Sequence, residues 1–203
     1  MQRSDHILKL DGEPSKRLGE VMGSAFLHRL GFQYILPDDH KRAEALPWFF
    51  GSFLRRIAQR KGEVYATRDE SGGAFWIRPD AKITYMDAIQ AGLITMPFQL
   101  GLGGFRRALH LNKVVDHVHA SKMREPHWYL IALAVAPERQ GEGLGGALMA
   151  PAFQMADTNK QPCYLETFTE DNLDYYRRFG FEVVVRACLE DIPFWGMKRA
   201  PKG

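Results

Sequence analysis

Cysteine is scarce: Cys163 and Cys188 are the two among 203 residues, so neither a disulfide framework nor a repeated metal-ligand spacing can be built. Long apolar runs are missing too, with nothing approaching the roughly 18 residues of a spanning helix. The opening MQRSDHILKLDGEPSKR has charges where an export signal needs its apolar stretch. Charge of one sign is also lacking. The 27 basic residues are scattered among 24 acidic ones for a net +3, a balance that does not imply nucleic acid and only slightly favours an anionic ligand. These absences lead us to expect a cytoplasmic chain with no membrane, nucleic-acid or metal partner.

What is present is a globular composition, 45% hydrophobic and 25% charged, long enough for one ordinary domain across 1–203. No repeat, low-complexity segment or linker divides it. His6 to Leu10 reads as a strand, and Ser15 as the cap of a helix running to about Leu30. Pro47 suits the first turn of a second helix with a thick aromatic face. Val64–Thr67 and Gly73–Ile77 read as a hairpin, followed by helical segments near 86–100 and 105–123. The last third alternates: strand Trp128 to Val135, helix after Gly143, strand Cys163 to Thr167, helix around Asp174 to Phe179, and strands near Phe181 to Ala187 and Phe194 to Lys198. The fold class is therefore mixed α/β, with helices packed on a sheet.

The chemistry concentrates in 128–181. An apolar strand is broken by Pro137-Glu138-Arg139, and Gln140-Gly141-Glu142-Gly143-Leu144-Gly145-Gly146 leads into a helix. Unpaired amides at a helix start carry partial positive charge, and glycines let a phosphate approach the backbone; a merely tight turn would use the same glycines. Three phosphate-binding patterns compete. A P-loop fails because Ala147 stands where lysine must be. The dinucleotide fingerprint is met literally by Gly141, Gly143 and Gly146, with Glu166 about 20 residues on. Against it, Ala136 to Gln140 separate strand from glycine, and too little chain remains for a doubly wound sheet. The third pattern is Q-x-x-G-x-G, carried by Gln140, Gly143 and Gly145.

With Leu133-Ala134-Val135-Ala136-Pro137 before that loop, then strand 163–167, Asn172 and Tyr176-Arg177-Arg178-Phe179-Gly180-Phe181, the sequence resembles the GNAT superfamily of acyl-CoA N-acyltransferases. The resemblance implies a mostly antiparallel sheet with one splayed parallel pair at its centre. It implies an acceptor-side half over 1–125 and an acetyl-CoA-binding core over 126–187. The function implied is transfer of an acetyl group from acetyl-CoA to an amine in a ternary complex. A non-catalytic acyl-CoA-binding module and a dinucleotide-binding oxidoreductase remain as alternatives.

By the same resemblance, Leu133, Ala134 and Val135 pair with pantetheine, and the amides of Gln140 to Gly145 hold the pyrophosphate. Arg139, Glu142, Leu144 and Gly146 stand within or beside that loop, with Arg139 offering charge. Asn172 contacts coenzyme A, pins a strand or caps a helix. Tyr176 lies near the coenzyme sulfur; Tyr175, adjacent, faces differently. Glu166, in an apolar strand where burial raises a carboxyl pKa, and His127, before the central strand, are candidate bases. Phe26, Tyr34 and Trp76 are candidates to meet the acceptor, a small-molecule amine. Homodimerisation stays open. Pro151 predicts a kink in the helix after Gly143.

Overall fold

The computed structural model describes residues 7–11 and 16–202, so the expected cap at Ser15 and the strand start at His6 lie outside the described residues. The alternating and continuous apolar runs become seven strands: β1 (Ile7–Lys9), β2 (Gly62–Thr67), β3 (Gly72–Ile77), β4 (Trp128–Val135), β5 (Cys163–Thr167), β6 (Phe181–Leu189) and β7 (Ile192–Arg199). They form one sheet in the order β1-β2-β3-β4-β5-β7-β6. Every pairing is antiparallel except β4 with β5, which is parallel and central.

Before β2 the chain forms α1 (Lys16–Phe26), α2 (Leu30–Ile35), α3 (Asp39–Trp48), a π-helical stretch over Phe49–Leu54, and α4 (Arg55–Lys61). Between β3 and β4 lie α5 (Tyr85–Ala91) and α6 (Met96–Lys122); α7 (Leu144–Thr158) comes after β4, and α8 (Asn172–Arg177) after β5. On one face of the sheet Leu148, Met149, Ala152 and Ala156 of α7, with Leu173 and Tyr176 of α8, pack on Trp76, Trp128, Leu130 and Leu165. On the other, Leu18 and Met22 of α1 and Phe50 meet Val64, Ala66, Phe75, Ala132 and Ala134. Leu148 is fully buried, and truncating such a leucine to alanine costs about 2–5 kcal/mol.

A β-bulge in β4 decides which side chains face each layer of helices. Phe75 pairs with Ala132 but Trp76 pairs with Leu130, leaving Ile131 as the extra residue of β4. The extra residue shifts the pleat, so Trp128 and Leu130 face α7 whereas Ala132 and Ala134 face α1. The uninterrupted apolar run of β4 is what a strand covered on both faces requires.

Several boundaries differ from the sequence expectation. Asp38, whose side chain accepts from the Lys41 amide at 2.9 Å, starts α3, so Pro47 falls inside the helix instead of in its first turn. Proline supplies no amide to the preceding turn, and the chain widens into π-helix just after it. The glycines of α1 allow close packing there: a Cβ on Gly19 would stand 2.6 Å from the Pro47 carbonyl oxygen, and one on Gly23 2.9 Å from its nitrogen. The first long helix divides, ending at Phe26 and resuming at Leu30. Buried Arg42 holds that junction through the carbonyls of Leu27 and Leu36 and the carboxylate of Asp39. The segment expected near 86–100 divides into α5 and the first turns of α6, and α6 is kinked at Gly101 (φ 68°, ψ 163°), a conformation suited to glycine, so the break expected between 100 and 105 is present. Helix α7 continues to Thr158 through Pro151.

Candidate active site

Pairing between β4 and β5 stops at Leu130 and Leu165, although β4 runs on to Val135 and β5 to Thr167. Beyond that fork the edge of β4 facing β5 has backbone groups that β5 does not satisfy, and an extended amide-bearing chain can take them up as an added strand would. Leu133, Ala134 and Val135 all lie on this freed stretch and line a cavity of about 1760 Å³. An ordinary ligand pocket measures about 300–1,000 Å³, so two ligands fit. The cavity draws walls from both faces of the sheet, because the splay opens a passage through it.

At the far end of β4 the glycine loop closes one end of this cavity, where Gln140, Gly141, Gly143, Leu144, Gly145 and Gly146 are all lining residues. Gly141 and Gly143 adopt φ 84° and 80°, and no side chain caps the start of α7. A Cβ on Gly141 would meet nothing within 4 Å. An uncapped helix start beside open space is a cradle for a phosphate. The side-chain amide of Gln140 donates to the Val135 carbonyl at 3.1 Å and fixes the loop to the strand end.

The charged members of the loop pair with each other. Arg139 donates to Glu142 at 2.8 and 3.0 Å and to Asp69 of the β2–β3 turn at 2.5 Å. Asp69 is held well below the usual carboxylate range, chiefly by hydrogen bonds from Thr67 and Ser71. Arg139 still reaches the cavity wall, whereas Glu142 lines a separate small surface pocket beside it.

Helix α8 packs on the loop from the side. A Cβ on Gly145 would lie 2.1 Å from the Tyr175 hydroxyl, and one on Gly146 2.8 Å from the Phe179 ring. These two glycines therefore make room for aromatic rings. Asn172 donates to Thr167 Oγ1 at 3.2 Å, tying the start of α8 to the end of β5. Tyr176 is buried against Phe181 and lines the cavity; burial pushes its phenol pKa up, so it stays neutral and able to donate.

Glu166 is the first residue of β5 past the fork and lies on the face opposite α7. Its side chain is 4% exposed, with His119 Nδ1 3.6 Å from Oε1, and among the described protein groups that oxygen has no hydrogen-bond partner. Burial raises its pKa to about 8, while the neighbouring phenols of Tyr129 and Tyr164 oppose the rise and the charge of Asp116 adds to it. His119 of α6 is in turn lowered to about 4 by burial and by His127, and His127 is lowered chiefly by burial. The Nε2 atoms of the two rings are 2.6 Å apart, and His127 Nδ1 lies 2.7 Å from the Glu125 carbonyl oxygen.

The cavity thus gathers Glu166, His127, Tyr176, Asn172, Arg139, the β4 edge, the glycines and Phe26, which stacks on Phe50 at 4.6 Å. Two acceptor-side expectations are corrected. Trp76 is fully buried on the α7 face, edge-to-face with Trp128 and Phe153, because the pleat turns it away from the acceptor side. Tyr34 lies outside the lining and bonds His110 and Glu190 at 2.9 and 3.1 Å. Sequence reasoning missed His119, Asp116, Tyr129 and Tyr164. Helical spacing of three between Asp116 and His119 and the two-residue spacing of Tyr164 and Glu166 on β5 were the available signals; Tyr129 stands beside them only through sheet pairing.

A family model described as an acetyltransferase (GNAT) domain matches residues 105–183, the segment that carries α6 beyond its kink, the fork, the glycine loop and α8. An uncharacterised N-acetyltransferase of Schizosaccharomyces pombe is 28% identical over 126 residues, 60% of this chain and 51% of that protein. The chain thus spans about half the length of this curated relative. A Corynebacterium glutamicum structure, described as histone acetyltransferase HPA2 and related acetyltransferase, superposes with a TM-score of 0.60 at 17% identity, covering 98% of this chain and 97% of that one. A Pyrococcus horikoshii protein gives 0.58 at 14% identity, covering 97% and 98%. At such identities the two structures speak for the fold alone.

Proposed function

The chain has the GNAT acetyltransferase fold, and we propose that it transfers the acetyl group of acetyl-CoA to the primary amine of an apolar small molecule. The observation that carries this reading is one cavity joining three things: a freed β4 edge, an uncapped glycine-rich helix start, and a buried carboxyl at the fork. The first two fit pantetheine and pyrophosphate. Acetyl-CoA supplies the activated acyl thioester when bound.

The residues divide the work. Amides from Gly141 to Gly146 meet phosphate, and Leu133 to Val135 align the arm. Glu166, when ionised, takes the proton from the acceptor nitrogen, while neutral Tyr176 donates a hydrogen bond on the sulfur side. The acceptor side of the cavity is lined by Phe32, Phe49, Phe53, Ile57, Ile77 and Met96. Among the lining residues the carboxyl groups are Asp116 and Glu166; in their ionised forms they draw a cationic amine toward the fork while its apolar body meets the aromatic wall.

Calorimetric titration with acetyl-CoA, free CoA and NADH in parallel tests the first half. Micromolar binding of the CoA species without NADH supports it; NADH binding alone overturns it. Thiol release with a panel of arylalkyl amines, polyamines and amino acids tests the second. Turnover favouring arylalkyl amines is expected, and acetyl-CoA binding with no turnover of any amine would make the chain a binding module instead.

A further inference from the structure

Glu166 is shut away from water, so a proton it accepts needs an exit. From Glu166 Oε1, His119 Nδ1 is 3.6 Å away; from His119 Nε2, His127 Nε2 is 2.6 Å away; from His127 Nδ1, the Glu125 carbonyl is 2.7 Å away. His119 is 15% exposed by side chain, while His127 stands half-buried at the loop before β4. The path therefore runs from the interior to the surface.

The His119 ring is clamped. It stacks on Tyr164 at 4.4 Å and meets Tyr129 edge-on at 4.4 Å, which holds both nitrogens on line. The groups facing the pair are Asp116 on its own helix, Tyr129 of β4, Tyr164 and Glu166 of β5, Glu125 of the loop and Lys198 of β7. Lys198 is bound to the Glu125 carboxylate at 2.5 Å. Because the Glu125 carbonyl can only accept, His127 donates from Nδ1 and accepts at Nε2. His119 then donates from Nε2, leaving its Nδ1 lone pair toward Glu166.

We propose that His119 and His127 form a proton path that returns the proton taken up by Glu166 to solvent. The Glu166 O–H bond breaks and a bond to His119 Nδ1 forms; the His119 Nε2 proton moves to His127 Nε2; His127, protonated on both nitrogens, then loses one proton to water. Once the products leave, exchange with water in the emptied cavity, which both histidines line, takes the proton from His119 Nδ1 and returns one through His127, so that each ring regains its starting tautomer. The longest gap, 3.6 Å, is of the kind that tightens when a site is filled. His119 and His127 are positioning and relay residues, while the group that meets the acceptor is Glu166. The catalytic consequence rests on the transferase reading above; the tautomer assignment does not.

Two measurements test the path. In the free protein, nitrogen-15 NMR should find the Nε2–H tautomer at His119 and the Nδ1–H tautomer at His127; any other pair overturns the assignment whether or not an amine is turned over. In weakly buffered solution, His127→Ala should lower kcat about tenfold, leave the Kd for acetyl-CoA unchanged, and recover when free imidazole is added. His119→Gln should lower kcat similarly without recovery, since imidazole cannot enter between the tyrosines. A His127→Ala enzyme with unchanged kcat, or with a loss that imidazole and concentrated buffer leave in place, refutes the relay.

Discussion

Replacing Glu166 by glutamine removes the proton acceptor while keeping nearly the same shape, and the structure fixes what pH should do to each enzyme. The carboxyl has its pKa raised from 4.5 to about 8 by burial. With that value about one tenth of it is ionised at pH 7 and about nine tenths at pH 9. If the ionised form is the base, kcat/KM should climb roughly tenfold over that interval. The acceptor amine also becomes a better nucleophile as pH rises, so the informative quantity is the ratio of wild type to Glu166→Gln. That ratio should rise with a midpoint near 8 and reach about a hundredfold on the alkaline plateau. Stability runs the opposite way. A folded pKa above the unfolded one contributes stability below about 4.5 and loses it as pH rises through about 8. The whole shift corresponds to roughly 5 kcal/mol. The Tm of the wild type should therefore fall between pH 6 and 9 more steeply than that of Glu166→Gln. A flat kcat/KM ratio, or parallel Tm curves, would refute the assignment of Glu166 as a buried base.

Three other outcomes rest on the packing and the cavity wall. Gly145→Ala sets a methyl against the Tyr175 hydroxyl and should weaken acetyl-CoA binding at least tenfold by calorimetry; pairing it with Tyr175→Phe, which removes the clashing oxygen, should recover part of the loss. Asp157→Ala strips the bidentate partner, at 2.8 Å on both arms, from an Arg199 that is 3% exposed, and should cost about 3–5 kcal/mol in urea unfolding. Asp116→Asn should raise KM for cationic amines severalfold and leave the Kd for acetyl-CoA unchanged, as steady-state kinetics beside calorimetry will reveal.

The parts of the site that sequence made legible are those whose chemistry is local. Gln140, Gly143 and Gly145 lie within one loop, and the backbone does the binding there, so spacing alone carries the information. Tyr176 and Asn172 share one short helix with the adjoining strand, which again keeps their relation within a few residues. The parts that were illegible depend on pairing at a distance. Trp76 falls on the wrong face for an acceptor because β3 alternates regularly, with Ala74 and Trp76 toward α7 and Phe75 toward α1, and periodicity within β3 cannot reveal which layer of helices covers each face. Arg139 reads as a free phosphate-binding charge until the β2–β3 turn brings Asp69 to 2.5 Å. Glu166 was visible as an acid in an apolar strand, yet its consequence required α6 to cross that strand and set His119 between Tyr129 and Tyr164. Raising the pKa of a carboxyl takes only burial, which an apolar strand already suggests. Giving its proton a way out takes α6 and the loop after it brought against the distant strand β5, and that arrangement is a property of the fold.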